Sequence, residues 1–172
     1  MTSLPLDIVP ESPEHAEAIE KLHERGFGPG RFARTAFRLR EGAIVLPGLS
    51  FIARVGTLLV GSVRLSPIRI GETPAILLGP LAVDPPFMNR GIGSALMTAA
   101  LKAAADDGHS LVILVGDEPF YRKNGFRRVP RGQIVLPGPV DPDRLLVAEL
   151  REGALEGVSG VAAADTGKVP AV

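Results

Sequence analysis

Cysteine is absent from the 172-residue chain, which excludes disulfides, thiolate nucleophiles and Cys-ligated zinc outright. Histidine is scarce, and the three residues, at positions 15, 23 and 109, are too scattered to propose a metal site; none is expected. No apolar run reaches the ~18 residues of a membrane span. The opening segment MTSLPLDIVPESPE lacks the basic start and long apolar core of a secretory leader. An excess of either charge is missing too: 19 Lys and Arg balance 19 Asp and Glu, and neither sign forms a long block. Neither nucleic acid nor an anionic membrane is therefore an expected partner. What these absences leave is a soluble protein, expected in the cytoplasm, about one domain long and able to bury a core without cross-links.

The most informative stretch that is present spans residues 77–107, LLGPLAVDPPFMNRGIGSALMTAALKAAADD. It reads as an apolar strand ending at Val83, a corner at Asp84-Pro85-Pro86, and then Arg90-Gly91-Ile92-Gly93-Ser94 opening a long Ala-rich helix. The first turn of a helix has unpaired N–H donors and a positive dipole end, so a glycine-rich start after a strand can gather backbone amides around an anion. The stretch points to a phosphate-bearing ligand. It lacks the Gly-Lys-Ser/Thr of a P-loop and the full three-glycine dinucleotide pattern, so neither a nucleoside triphosphate nor a nicotinamide follows.

Taken in order, residues 4–9 alternate like a short edge strand. Ser12-Pro13-Glu14 has the chemistry of a helix start, with Ser at the N-cap and Pro at the first helical position. That helix is expected to reach Arg25 with Ala18, Ile19 and Leu22 inward and to stop at Gly26. Residues 27–30 (Phe-Gly-Pro-Gly) form a flexible joint. Residues 31–40 suit a second helix with Phe32, Ala36 and Leu39 inward and Arg31, Arg34 and Arg38 on a solvated face. Residues 50–55, 58–70 and 74–83 read as three strands of an antiparallel meander, parted by turns at Gly56-Thr57 and Gly71-Glu72. The helix from Gly91 to Asp107 ends at Gly108, and the wholly apolar run 111–115 follows as a buried strand, parallel to the one ending at Val83. A short helix capped by Asp117 and stopped by Gly125 precedes strands from Phe126 and over 144–150. Beyond Arg151 the Gly/Ala/Val-rich chain has little periodicity, so residues 151–172 are expected as a loosely ordered tail on a single domain of residues 1–150.

A strand with Leu-Ala-Val-Asp-Pro, a loop with Gly-x-Gly, a long helix, a strand and then Phe120-Tyr121-Arg122-Lys123-Asn124-Gly125-Phe126 resembles the GNAT family of acetyl-CoA-dependent N-acetyltransferases. The resemblance is best over residues 49–129. The LLGPLAVDP strand and the segment from Val147 to Gly160 look nearest to its YhbS-like branch. It implies an α/β fold of mixed α+β type. About seven strands would form a central mixed sheet splayed between the strand ending at Val83 and the strand from Leu111, flanked by about four helices.

The resemblance also implies roles. Acetyl-CoA would be cosubstrate, its diphosphate on the loop Met88, Asn89, Arg90, Gly91, Ile92, Gly93 and Ser94. Gly91 and Gly93 would let the backbone approach closely. Met88 stands where the family usually has Gln or Arg, which removes a polar contact and predicts weaker coenzyme affinity. Leu81, Ala82 and Val83 would pair their backbone with the pantetheine arm as an added strand. Pro80 has no N–H, so Leu81 is the expected donor to the thioester oxyanion. Tyr121, the only tyrosine, would protonate the departing thiolate, although a core aromatic beside Phe120 and Phe126 would equally use its ring.

No general base is legible, because 75–78 is wholly apolar. Glu72, Asp84, Asp117 and Glu118 each have a turn or cap role that accounts for them. The expected activity is acetyl transfer to a small-molecule or peptide amine by direct attack in a ternary complex, since no Cys and no Ser in a nucleophile motif offers a covalent route. The acceptor would lie in a cleft between the region of residues 27–40 and the strands. The alternative is a non-catalytic acyl-CoA-binding or sensing module, and the resemblance also admits a homodimer.

Overall fold

Two segments with apolar residues on both faces set the centre of the sheet. These are β4 (Thr73–Val83) and β5 (Leu111–Val115), which run parallel with Ile76 opposite Val112 and Leu77 opposite Ile113. Strand alternation sends Ile76, Leu78, Val112 and Leu114 into one core cluster and Ala75, Leu77, Leu111 and Ile113 into another on the opposite face. A strand covered on both sides cannot show a polar face, which is why residues 111–115 read as an unbroken apolar run. The computed structural model describes residues 5–27, 35–44, 46 and 48–167, and of 35–37 only the backbone.

The parallel pair is joined by α3 (Ile92–Asp106), whose Ile92, Leu96, Met97, Ala100 and Ala104 fill the first cluster. Gly61 lets this helix sit close: a β-carbon there would lie 2.9 Å from Leu96 Cδ1 and 3.2 Å from Ile92 Cγ2. On one side β1 (Leu6–Pro10), β2 (Phe51–Val55), β3 (Leu58–Ile70) and β4 are antiparallel neighbours. On the other, β5 pairs antiparallel with β8 (Leu145–Glu149), and β8 with β6 (Arg127–Arg128). With β7 (Ile134–Val135) and β9 (Gly160–Ala164) the sheet has nine strands among the described residues, the main path running β1-β2-β3-β4-β5-β8-β6. The mixed sheet with helices on its faces matches the expected class; β7 and β9 are additions to it.

Helix α1 (Ala16–Phe27) starts from a turn in which His15 Nδ1 accepts the Ser12 N–H at 3.0 Å, and it continues through Gly26. Ala18, expected inward, is exposed; the buried face is Ile19, Leu22 and His23. Helix α2 (Thr35–Arg40) keeps Leu39 buried and Arg38 exposed, whereas the expectations for Leu4, the joint beyond Phe27, Arg31, Phe32, Arg34 and the Ala36 side chain lie outside what is described. Among the described residues no helix is long and apolar enough to cross a membrane.

The expectation of a loose tail from residue 151 is corrected. Ala154, Leu155, Val158 and Ala162 are buried, and β9 pairs Ala162–Ala164 with Ile70–Ile68 of β3. The ordering is non-local: Gln133 Nε2 donates to the carbonyls of Leu155 (3.1 Å) and Val158 (2.8 Å), and Glu149 accepts the Leu155 N–H at 3.0 Å. Local periodicity does not encode such anchors. Residues 168–172 lie outside the described part.

Candidate functional site

Pairing between β4 and β5 stops at Leu77 and Ile113. Past that point β4 bulges: Leu78 faces Leu65 and Leu81 faces Val63, so Gly79 and Pro80 together oppose the single residue Arg64. A bulge of this kind bends its strand and interrupts the ladder. The strands part, and a cavity of about 430 Å³ opens between Leu78–Leu81 on one side and Leu114–Gly116 on the other. Its outer walls are built by Glu20, His23 and Phe27 of α1, Arg40 of α2, Arg64 of β3, and Arg144.

A second cavity, about 300 Å³, lies between the end of β4 and the start of α3. Gly91 caps that helix with φ +80°, Asn89 also has a positive φ of 62°, and the first turn carries no acidic side chain. Of the expected coenzyme contacts, Leu81, Val83, Met88, Asn89, Gly91, Ile92, Gly93 and Ser94 line this cavity. Ala82 turns its side chain instead into the cluster with Ile19 and Leu22, and the Arg90 guanidinium lies 5.4 Å from the centre of the Phe87 ring. The two cavities share Leu81, Phe120 and Tyr121.

Tyr121 ends the short helix α4 (Glu118–Tyr121), its ring edge-on to Phe120 at 4.9 Å and to Phe126 at 6.1 Å. Burial, then the neighbouring Asp117 charge, push its phenol above the usual tyrosine value, with Arg144 acting the other way. The phenol is therefore protonated at neutral pH. Sequence reading missed what sets its position. A β-carbon on Gly116 would lie 2.3 Å from Tyr121 Cε2, so only glycine lets the ring lie against the end of β5. The available signal was Gly116's place just past the carboxyl end of a parallel strand, where open α/β sheets hold ligands.

The four carboxylates near these motifs fare differently. Asp117 lines the larger cavity, but it makes no side-chain cap; its carboxylate meets Arg144 Nε at 3.3 Å. Asp84 accepts from Arg25, Glu118 pairs with Arg122 and Arg128, and with Glu72 they lie outside both linings. Glu20 and the buried His23, on a helix remote in sequence from the motifs, are in the lining instead.

Comparison with known proteins gives concordant results. The profile of the acetyltransferase (GNAT) domain family matches residues 47–128. A relative from Escherichia coli O157:H7, named Uncharacterized N-acetyltransferase YhbS, is 28% identical over 153 residues, 88% of this chain and 91% of that protein. The crystal structure of the Escherichia coli GNAT family N-acetyltransferase YhbS in complex with CoA superposes with a TM-score of 0.81 at 27% identity, covering 95% of this chain and 92% of that one. A GNAT family acetyltransferase from Brucella melitensis in complex with acetyl-CoA gives a TM-score of 0.62 at 26% identity over 83% of this chain and 94% of that one.

Proposed function

This chain carries an acetyltransferase domain of the GNAT family, and on that premise we propose that it moves an acetyl group from acetyl-CoA to a primary amine by direct attack in a ternary complex. The observation that carries the reading is the junction: an anion-suited helix start and a chamber for a second substrate meet at Leu81, Phe120 and Tyr121. A diphosphate on the first-turn amides of α3 would be held by unpaired N–H groups and the dipole, with Gly91 supplying the left-handed cap. The pantetheine arm then runs beside Leu81–Val83 into the gap between β4 and β5, which brings its sulfur to Tyr121. The likeness to structures holding CoA and acetyl-CoA supports this placement.

In the reaction the neutral amine attacks the thioester carbonyl carbon, forming a C–N bond. The oxyanion is held by the N–H of Leu81, the first residue past the bulge that has one. The C–S bond breaks and the thiolate takes the Tyr121 hydroxyl proton, which burial keeps in place at neutral pH, and the tyrosinate regains a proton from solvent after the thiol leaves. The proton lost by nitrogen leaves through Glu20 and His23, the titratable pair that α1 contributes to the chamber.

Thiol release from acetyl-CoA across an amine panel tests the proposal. We expect turnover with some amines and a loss of roughly 10²–10⁴-fold in kcat for Tyr121→Phe, with the KM for acetyl-CoA little changed. Met88, 53% exposed at the coenzyme cavity in place of a polar side chain, favours the second reading of a non-catalytic acyl-CoA-binding module. That reading predicts calorimetric binding of acetyl-CoA, no thiol release with any amine, and no effect of Tyr121→Phe.

A further inference from the structure

The two cavities of the site meet at three side chains, and the reaction proposed above uses two of these residues. Leu81, Phe120 and Tyr121 line both the larger chamber and the smaller cavity. On that reading the Leu81 N–H faces the thioester oxygen and the Tyr121 hydroxyl faces the sulfur. The thioester carbon has a third substituent, the carbon that begins the acyl chain. Phe120 is the junction side chain left to meet it.

The surroundings of Phe120 fit a wall against a small apolar group. Its ring stands edge-on to Tyr121, with the centroids 4.9 Å apart, and extends to the start of α3. There Phe120 Cζ lies 3.4 Å from the position that a β-carbon on Gly93 would take, and Val83 Cγ2 and Leu81 Cδ2 lie 3.8 and 3.9 Å from the same point. Side chains of β4 and α4 therefore close in on one spot beside the first turn of α3, at the spacing of carbon atoms already in contact. A methyl group fits against such a wall, whereas a second methyl on the same carbon has to displace it. Leu81 and Tyr121 are packed against the first core cluster, but Phe120 lies outside all three clusters and is 43% exposed. Its ring is thus the part of the junction that can be cut back without opening a core.

We infer that Phe120 determines which acyl group the site accepts, by standing against the carbon next to the thioester carbonyl and rejecting a branch there. A straight chain has a way past the ring, because the chamber beyond, about 430 Å³, has room for it. The inference rests on the transferase reading for the orientation of the thioester, while the wall itself stands on the junction of the two cavities.

The isomers n-butyryl-CoA and isobutyryl-CoA test it, since they differ in branching alone. In the thiol-release assay, with an amine that the panel shows to be accepted, kcat/KM for n-butyryl-CoA should exceed that for isobutyryl-CoA at least about tenfold, the usual effect of one misplaced methyl in an apolar pocket. Phe120→Ala should bring the two within about twofold, and Phe120→Leu should give an intermediate ratio. Tyr121→Phe should slow both isomers alike and leave their ratio as it is, which separates shape from proton transfer. Both Phe120 variants should unfold cooperatively on heating, as the wild type does. A readout independent of turnover is calorimetric titration with each thioester in the absence of amine, where the wild type should bind the straight isomer more tightly and Phe120→Ala should bind both alike.

Equal treatment of the isomers by the wild type, or a preference that survives Phe120→Ala, overturns the inference and leaves the transferase reading intact wherever thiol is released. A binding preference that Phe120→Ala removes, with no thiol released to any amine, supports the wall and sinks the transferase reading. No binding of either thioester overturns the inference together with the placement of the coenzyme.

Discussion

Replacing Gly116 by alanine should cripple the enzyme through Tyr121, a residue that the substitution leaves chemically intact. The added methyl carbon would lie 2.3 Å from Tyr121 Cε2 and 3.0 Å from Cδ2, with Leu114 Cδ1 at 3.2 Å on another side. Carbon atoms pack at about 3.5 Å or more, so the ring must retreat by roughly 1.2 Å. It cannot do so freely, because Phe120 and Phe126 lie against it. A misplacement of about 1 Å at a reacting group costs on the order of 10²-fold, and losing a general acid costs 10²–10⁴-fold. The expected fall in kcat is therefore about 10²-fold or more, with the KM for acetyl-CoA within a few-fold, since Gly116 lies outside the cavity proposed for the coenzyme. The assay is thiol release on Gly116→Ala, Tyr121→Phe and the double variant, each checked for cooperative thermal unfolding. If both changes act through the same hydroxyl, the double variant is no slower than Tyr121→Phe alone. Gly116→Ala retaining half of the wild-type kcat, or losses that multiply in the double variant, would refute the reasoning.

The remaining predictions concern proton, coenzyme and tail. Activity that needs the Tyr121 proton is present below its raised pKa and lost as pH climbs through it; Asp117 is a cause of the raise after burial, so Asp117→Asn should move the alkaline limb of the kcat/KM profile to lower pH. An unmoved limb would detach Tyr121 from that limb. Met88→Gln should tighten coenzyme binding by about fivefold, one net hydrogen bond at an exposed rim, as read by calorimetry. Ending the chain at Arg151 would remove buried Ala154, Leu155, Val158 and Ala162 and should cost on the order of 5 kcal/mol in urea denaturation. Glu149, held below the usual carboxylate range by the Leu155 N–H and by Arg127, anchors the same segment. Its contribution is present above the ordinary glutamate value and is lost as pH falls through the depressed one, so hydrogen exchange at β9 should accelerate in acid.

The elements that were legible in the sequence are those whose signal is local. The run 111–115 is apolar because both of its faces are covered, and the glycines before α3 stand at a left-handed cap and a helix start, so period and composition exposed them directly. The lining of the smaller cavity was legible for the same reason, being contiguous in sequence around Gly91 and Gly93. The acceptor side was not. Glu20, His23, Arg40 and Arg64 come from three elements spread over more than forty positions, and each reads as an ordinary helix or strand residue until the fold brings them around one chamber. The tail failed differently: Ala154, Leu155 and Val158 have no periodicity of their own because they are ordered by Gln133 and by the open edge of β3. Gly116 was visible as a residue but not as a position, since its role depends on a ring that arrives from the next helix.

The central claim is that the parted ends of β4 and β5 receive acetyl-CoA with its sulfur at Tyr121. A crystal structure of the protein with coenzyme A tests it most directly. The expected result places the diphosphate on the amides at the start of α3 and the sulfur within about 3.2 Å of the Tyr121 hydroxyl. Coenzyme bound elsewhere on the surface, or in the gap with its sulfur turned away from Tyr121, would contradict it.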